Sequence, residues 1–243
     1  MPTRSNHPAM VLLLACVATP ALPVPAGPAP CHAASGVTVP TVVELYTSEG
    51  CSSCPPADRW LSSLAAQPDL VRLAFHVDYW DRLGWKDRFA DPAHTQRQQE
   101  LGARGLTRFV YTPQIVVDGA DYRSWPGLPS GTGRPATVQV SLGQDGSGYL
   151  ARFVRGPGAP MRLTAFWAIT EDGLVSQVRA GENRGTTMHH DAVVREYLAV
   201  PAVGDAALRF EPRMPVGSPG ARRHVLIVVS DASTGRPVQA VGC

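Results

Sequence analysis

The chain has 243 residues, 44% of them apolar and 17% charged, with a formal net charge of +2. That length buries a real core in one large domain or two small ones, and the composition excludes a disordered chain. A near-neutral balance with no basic block or aromatic–basic patch argues against nucleic acid, and no apolar run reaches the roughly eighteen residues of a membrane helix, so no integral membrane span is expected.

Residues 1–34 read as a leader. Arg4 and His7 precede the apolar run Ala9 to Ala18, and PALPVPAGPAP follows. A positive start, a short apolar core and small residues after it are the pattern of a secretory signal. Cleavage fits after Ala21, after Ala26 or near Ala33–Ala34. Leu13-Leu14-Ala15-Cys16 also resembles a bacterial lipobox, which would make Cys16 a lipid anchor. Both readings put the mature chain in the periplasm or outside the cell, where disulfides persist.

TVVELYT (41–47) is β-rich and apolar and predicts a buried strand. The turn SEGCSSCPP follows, and then a helix on which Trp60, Leu61, Leu64 and Ala65 fall at helical spacing. The two prolines sit at its start, where missing N–H groups cost little. VRLAFHV (71–77) is a second strand, and DYWDRLGWKDRFAD (78–91) is an irregular aromatic loop. Asp91-Pro92 reads as a cap and first helical residue for a helix from Ala93 to about Arg104. PQIVVDG (113–119) is a third strand. After Trp125, prolines among glycines mark a linker. Beyond it, strands are expected at 136–142, 149–154, 162–170, 174–179, 207–211 and 223–230, with a last one in PVQAVGC. HHDAVVREYL fits helix or strand. The organisation is therefore a leader (1–34), an α/β unit (37–125) and a mostly antiparallel, sandwich-like β unit (126–243).

Five cysteines stand at 16, 31, 51, 54 and 243. Without Cys16, or with it acylated, the remaining number is even and three pairings are open; spacing favours Cys51 with Cys54 and Cys31 with Cys243. Cleavage after Ala33 or Ala34 would instead remove Cys31. Cys51-Ser-Ser-Cys54 between a strand and a helix is a redox arrangement. The helix N-terminus lowers the thiol pKa, so Cys51 is expected to be the exposed attacking thiol and Cys54, one turn into the helix, the resolving one. Glu49, an anionic neighbour, and the missing N–H donors of Pro55 and Pro56 work against strong activation. With no second C-x-x-C, a four-cysteine zinc site is excluded.

The order strand, C-x-x-C, helix, strand, helix, Thr112-Pro113, strand resembles the thioredoxin fold. That resemblance implies a cis Thr112–Pro113 bond and a Thr112 that faces the cysteines and hydrogen-bonds an incoming peptide. VVELYTSEGCSSCPPADRWL, FHVDYWDRLGWKDRFADPAHTQRQ and YTPQIVVDG together resemble a secreted thioredoxin-like bacterial family known as domain of unknown function 1223. GENRGTTMHHDAVVRE extends the likeness into the second half. Thioredoxins usually carry a basic residue after the C-x-x-C, and the two prolines here depart from that.

Further candidates surround this core. His76 and Asp78, two apart at a strand end, point to one face. They line the site, with His76 shuttling protons, or form a structural pair fixing the aromatic loop. Thioredoxins place a buried carboxylate under the resolving cysteine, and that resemblance implies that Glu44 takes the Cys54 proton; the alternative is a salt-bridged strand residue. Met188-His189-His190-Asp191 suggests copper or zinc, against a turn in which Asn183 and Arg184 bond backbone carbonyls; no metal is assigned. The favoured function is an extracytoplasmic thiol–disulfide oxidoreductase with no organic cofactor, acting on protein thiols or disulfides. The alternatives are a metal-binding or redox-partner module using the C-x-x-C with His76, and a structural domain with a static disulfide.

Overall fold

The computed structural model describes Met1 and residues 31–67, 69–127, 133–204, 207–214 and 217–243. The leader and lipobox features read in residues 2–30 lie outside the described residues.

A short strand, β1 (His32–Ala34), precedes β2 (Thr41–Thr47), whose β-branched run is buried on both faces. Helix α1 (Pro55–Ser63) opens on Pro55 and Pro56, and Trp60 and Leu61 turn inward as their spacing requires. Leu64 follows in a 3-10 turn, Leu64–Ala66. After β3 (Leu70–His76), an aromatic loop leads to α2 (Pro92–Ala103). Asp91 caps α2, its Oδ1 accepting from Ala93 N at 2.8 Å. β4 (Gln114–Val117) and β5 (Ala120–Asp121) follow. The later strands are β6 (Val138–Asp145), β7 (Gly148–Arg155), β8 (Leu163–Asp172), β9 (Leu174–Gln177), β10 (Thr187–His190), β11 (Val193–Val203), β12 (Leu208–Phe210), β13 (Arg222–Asp231) and β14 (Pro237–Gly242). HHDAVVREYL, open between helix and strand in the sequence, is strand on both sides of Ala192, which has φ 56°.

The chain is mostly β. Eight strands form one mixed sheet in the order β14–β13–β8–β11–β3–β2–β4–β5. β2 and β3 run parallel from Thr41↔Leu70 to Thr47↔His76. β11 meets β3 in parallel at Val193↔Ala74, where Ala74 N donates to Ala192 O at 2.7 Å. Strands from either side of the Pro/Gly stretch near 126–135 therefore share this sheet. A second, antiparallel sheet, β1–β6–β7–β12, packs face to face on its β8–β13 end. Val138, Val140 and Ala151 meet Ile169, Ile227 and Val229 there, and Trp167 stacks on Phe210 at 4.6 Å between centroids. The second half is thus rich in antiparallel strands, as expected, but its strands share the large sheet with β2–β5 and the small one with β1.

Cys31 and Cys243 are disulfide-bonded, with Cα atoms 5.5 Å apart. The bond ties the start of β1 in the small sheet to the end of β14 in the large one. Among the described residues, no helix is long and apolar enough to cross a membrane.

Candidate active site at the C-x-x-C turn

Because β2 and β3 are parallel, both end at one sheet edge, with Thr47 beside His76. β4 returns antiparallel with Gln114 opposite Tyr46, which brings Thr112–Pro113 to the same edge. That peptide bond is cis. Thr112 Oγ1 accepts from Trp80 Nε1 at 2.8 Å, and a Cβ on Gly50 would lie 3.1 Å from Trp80 Cβ. Trp80 thus links Thr112 to the residue before Cys51.

From β2 the chain turns tightly, with Cys51 N donating to Ser48 O (3.1 Å) and Cys54 N to Cys51 O (3.2 Å). Cys51 and Cys54 are disulfide-bonded, their Cα atoms 5.4 Å apart. Cys54 is the N-cap of α1, not a residue one turn inside it: Ala57 N and Asp58 N donate to its carbonyl at 2.9 and 3.1 Å.

The expected exposure of Cys51 is corrected. Cys51 and Cys54 are both 0% exposed, although Ser52 and Ser53 between them are exposed. The loop of the β9–β10 hairpin, far away in sequence, bonds the backbone of this turn. Asn183 Nδ2 donates to Glu49 O and to Cys51 O, each at 2.9 Å. Glu182 Oε2 accepts from Ser52 N at 3.2 Å. Asn183 therefore bonds backbone carbonyls, as the sequence reading allowed; Arg184 is exposed.

A buried polar cluster lies beneath the turn. His76 Nδ1 is 2.7 Å from Asp87 Oδ2, and both residues are fully or almost fully buried. Burial pulls the His76 pKa down, but Asp87, with Asp58 and Glu49, outweighs it and leaves the imidazole above its ordinary value. Burial pushes Asp87 up, and His76 with two backbone N–H groups more than offsets it, so Asp87 lies below its ordinary value. Asp58 sits four residues after Cys54 on the same helix face and accepts from Thr47 Oγ1 at 3.1 Å. Burial raises its pKa, and His76, His190 and Thr47 only partly offset this. Glu49 accepts from Trp85 Nε1 at 2.7 Å, and His190 Nε2 comes within 3.3 Å of its Oε1 without hydrogen-bond alignment. Burial raises the Glu49 pKa, but His190, Ser176 and Trp85 together hold it below its ordinary value. Among the described residues, His76 Nε2, both His190 ring nitrogens and Glu49 Oε1 have no hydrogen-bond partner.

Two expected members are elsewhere. Asp78 does not join His76. It lies beyond the end of β3, where the chain turns, and its Oδ1 accepts from Thr95 Oγ1 of α2 at 2.5 Å. Glu44 does not lie under Cys54. It shares the opposite face of β2 with Val42 and Tyr46, whereas Val43 and Leu45 face α1. Arg97 of α2 grips it through Nε and Nη2 at 2.8 and 2.7 Å, so the salt-bridged reading is the one observed. Asp58, Asp87 and Trp85 were not singled out in the sequence. Of these only Asp58 carried a signal, its four-residue spacing from Cys54. In the MHHD motif, Met188 and His190 turn inward and His189 outward, as strand alternation requires. Among the described residues, no group of three or more His, Cys, Asp or Glu side chains is placed to hold a metal.

Fold and site together define a β-rich protein with a buried C-x-x-C disulfide at a strand-to-helix turn, backed by a His–carboxylate cluster. The family described as "Protein of unknown function (DUF1223)" matches residues 42–230, and the chain belongs to it. The structure is similar to the crystal structure of protein AGR_C_4864 from Agrobacterium tumefaciens, at 23% identity over 84% of this chain and 94% of that one, with a TM-score of 0.59. It is also similar to HBP35 of Porphyromonas gingivalis, at 16% identity over 86% and 76% of the two chains, with a TM-score of 0.60. At these identities the likeness concerns the fold alone. No curated protein matches the chain.

Proposed function

We propose that the protein is an extracytoplasmic thiol–disulfide oxidoreductase, with a thioredoxin-like unit at 37–125 flanked by the β-rich unit at 126–243. The observation that carries this reading is the Cys51–Cys54 disulfide at the N-terminus of α1, with Thr112–Pro113 at the same sheet edge. The order β2, C-x-x-C, α1, β3, α2, Thr-Pro, β4 supports the thioredoxin-like reading. The leader-like composition of the first thirty or so residues and the second disulfide support a location outside the cytoplasm.

The chemistry balances without a cofactor. A partner's thiolate attacks Cys51 Sγ, a bond forms between the two sulfurs, the Cys51–Cys54 bond breaks, and its electron pair leaves on Cys54 Sγ. Asp58, one helical turn on, with burial raising its pKa, gives that thiolate a proton. A second partner thiolate then attacks the partner's own sulfur in the mixed disulfide and releases Cys51. The partner leaves oxidised and this protein holds a dithiol; in the reverse sequence the dithiol reduces a partner disulfide and the Cys51–Cys54 bond forms again. The helix N-terminus favours the thiolate form in both directions.

One observation favours a second reading: both cysteines are sealed from solvent, as in a static structural disulfide. Equilibration in thiol buffers, with trapping by single-cysteine variants, separates the two. The expected result is a measurable midpoint for Cys51–Cys54, and mixed disulfides that accumulate on Cys51 in Cys54→Ser but not in Cys51→Ser. A native disulfide inert to thiol buffers, or equal trapping by both variants, overturns the oxidoreductase reading.

A further inference from the structure

We propose that the tip of the β9–β10 hairpin is a lid over the Cys51–Cys54 disulfide, with Asn183 as its latch. The inference rests on the oxidoreductase reading and deepens it by naming what controls access to the site.

Three observations carry it. The first is the burial itself. Attack on a disulfide needs a thiolate in line with the S–S bond, and neither cysteine is accessible while the tip is in place. The second is how the tip is held. Asn183 donates one amide hydrogen to the carbonyl before the C-x-x-C, Glu49 O, and the other to Cys51 O, both at 2.9 Å. Glu182 adds an acceptor for Ser52 N at 3.2 Å. These are polar contacts between groups that water also satisfies, so they break at small net cost. The third is how the tip is built. β9 and β10 pair with each other and belong to neither of the two larger sheets. Gly181 and Gly185 flank the latch with φ of 72° and 87°. Gly181 is needed for a close approach as well, since a Cβ there would lie 3.2 Å from Trp85 Cβ. Bonds within the tip, Arg184 N to Gly181 O and Gly185 N to Val178 O, keep it a compact unit.

When the tip lifts, water replaces Asn183 at the two carbonyls and Cys51 Sγ faces solvent. When it closes, the same amide fixes the backbone on both sides of Cys51. The tip comes from the second half of the chain and the disulfide from the first, so the β-rich half sets which thiols reach the first half's chemistry.

The test uses the intact oxidised protein and measures rates of stoichiometric reduction by dithiothreitol and by a small reduced dithiol protein, with peptide mapping to follow each disulfide. Asn183→Ala removes both latch bonds and is expected to speed reduction of Cys51–Cys54 on the order of tenfold. Glu182→Gln weakens one bond and is expected to give a smaller increase in the same direction. The Cys31–Cys243 bond in the same molecules is the internal control, and its rate is expected to stay unchanged. A Cys51–Cys54 rate that is unchanged or slower in both variants overturns the lid. So does an equal acceleration of both disulfides, which would report general loosening of the fold. Because stoichiometric reduction does not require turnover, the two proposals fail separately. Faster reduction of Asn183→Ala with no turnover of any protein disulfide keeps the lid and removes the oxidoreductase. Turnover by the wild type with no effect of Asn183→Ala or Glu182→Gln does the opposite.

Discussion

Cys31–Cys243 closes a sequence separation of 212 residues and joins strands of two sheets, whereas Cys51–Cys54 closes a separation of 3 at a strand-to-helix turn. Chain-entropy stabilisation grows with the loop closed, so the first bond acts chiefly on the unfolded state. The second closes almost no loop and sits above His76, His190 and Glu49, each with a buried polar atom that has no hydrogen-bond partner among the described residues. Such groups cost stability, and proteins keep them where chemistry uses them. The two faces of β2 repeat the contrast. On the α2 face, Glu44 has Arg97 on both oxygens and Tyr46 on one, and the Arg97 guanidinium lies 4.2 Å over the Phe166 ring. On the α1 face, the charges are close but incompletely paired. The network on the α2 face is closed and the one on the α1 face is open.

The largest expected effect separates the disulfides. Replacing Cys31 and Cys243 by Ser should lower stability to denaturant by up to roughly 5 kcal/mol, on the chain-entropy estimate. The midpoint potential of Cys51–Cys54 should not move; a moved potential would mean that the staple also tunes the site. Next comes the closed network. Arg97→Met leaves Glu44 buried without its cation and should cost about 4 kcal/mol in urea unfolding, again with the Cys51–Cys54 potential unchanged. Replacing Cys51 and Cys54 by Ala should cost no more than about 2 kcal/mol, because the loop is so short. A loss as large as that of the Cys31–Cys243 variant would erase the distinction between the bonds.

The smallest effect is a pH dependence of the open cluster. His76 lies above its ordinary value of 6.5 in the fold despite burial, because Asp87 and its neighbours outweigh burial. A base raised in this way contributes stability that is full below the unfolded value and is lost as pH rises through the folded one. Asp87, held below its ordinary 3.8, contributes above that value and loses its share as pH falls through its folded value. The stability difference between wild type and His76→Gln should therefore be greatest between about pH 4 and pH 6.5 and shrink as pH rises further. A difference that grows towards alkaline pH would show that the two groups are not coupled as drawn.

Much of the fold was legible from local rules. Val42 to Tyr46 could only be a strand buried on both faces, Pro55-Pro56 could only begin a helix, and Asp91-Pro92 announced α2. These features depend on a residue's own φ/ψ preferences and on neighbours within one turn. The pairing of Cys31 with Cys243 followed from parity and the terminal positions of the two residues. The candidate site was legible only in part. Its cysteines and Thr112–Pro113 were, because their spacing is itself the signal. Its partners were not. His76 and Asp78 share a face only while the strand lasts, and the strand ends between them, so α2 takes Asp78 and the aromatic loop supplies Asp87. The thioredoxin resemblance implied a place for Glu44 near Cys54, but strand alternation set it on the other face, opposite Arg97. The bond from Asn183 to the Cys51 carbonyl spans 132 residues of chain, and no local rule announces it. Periodicity within the sequence fixes which residues lie on one side of an element. Only the long-range register of β3 with β11, and the hairpin that precedes it, determines what that side meets.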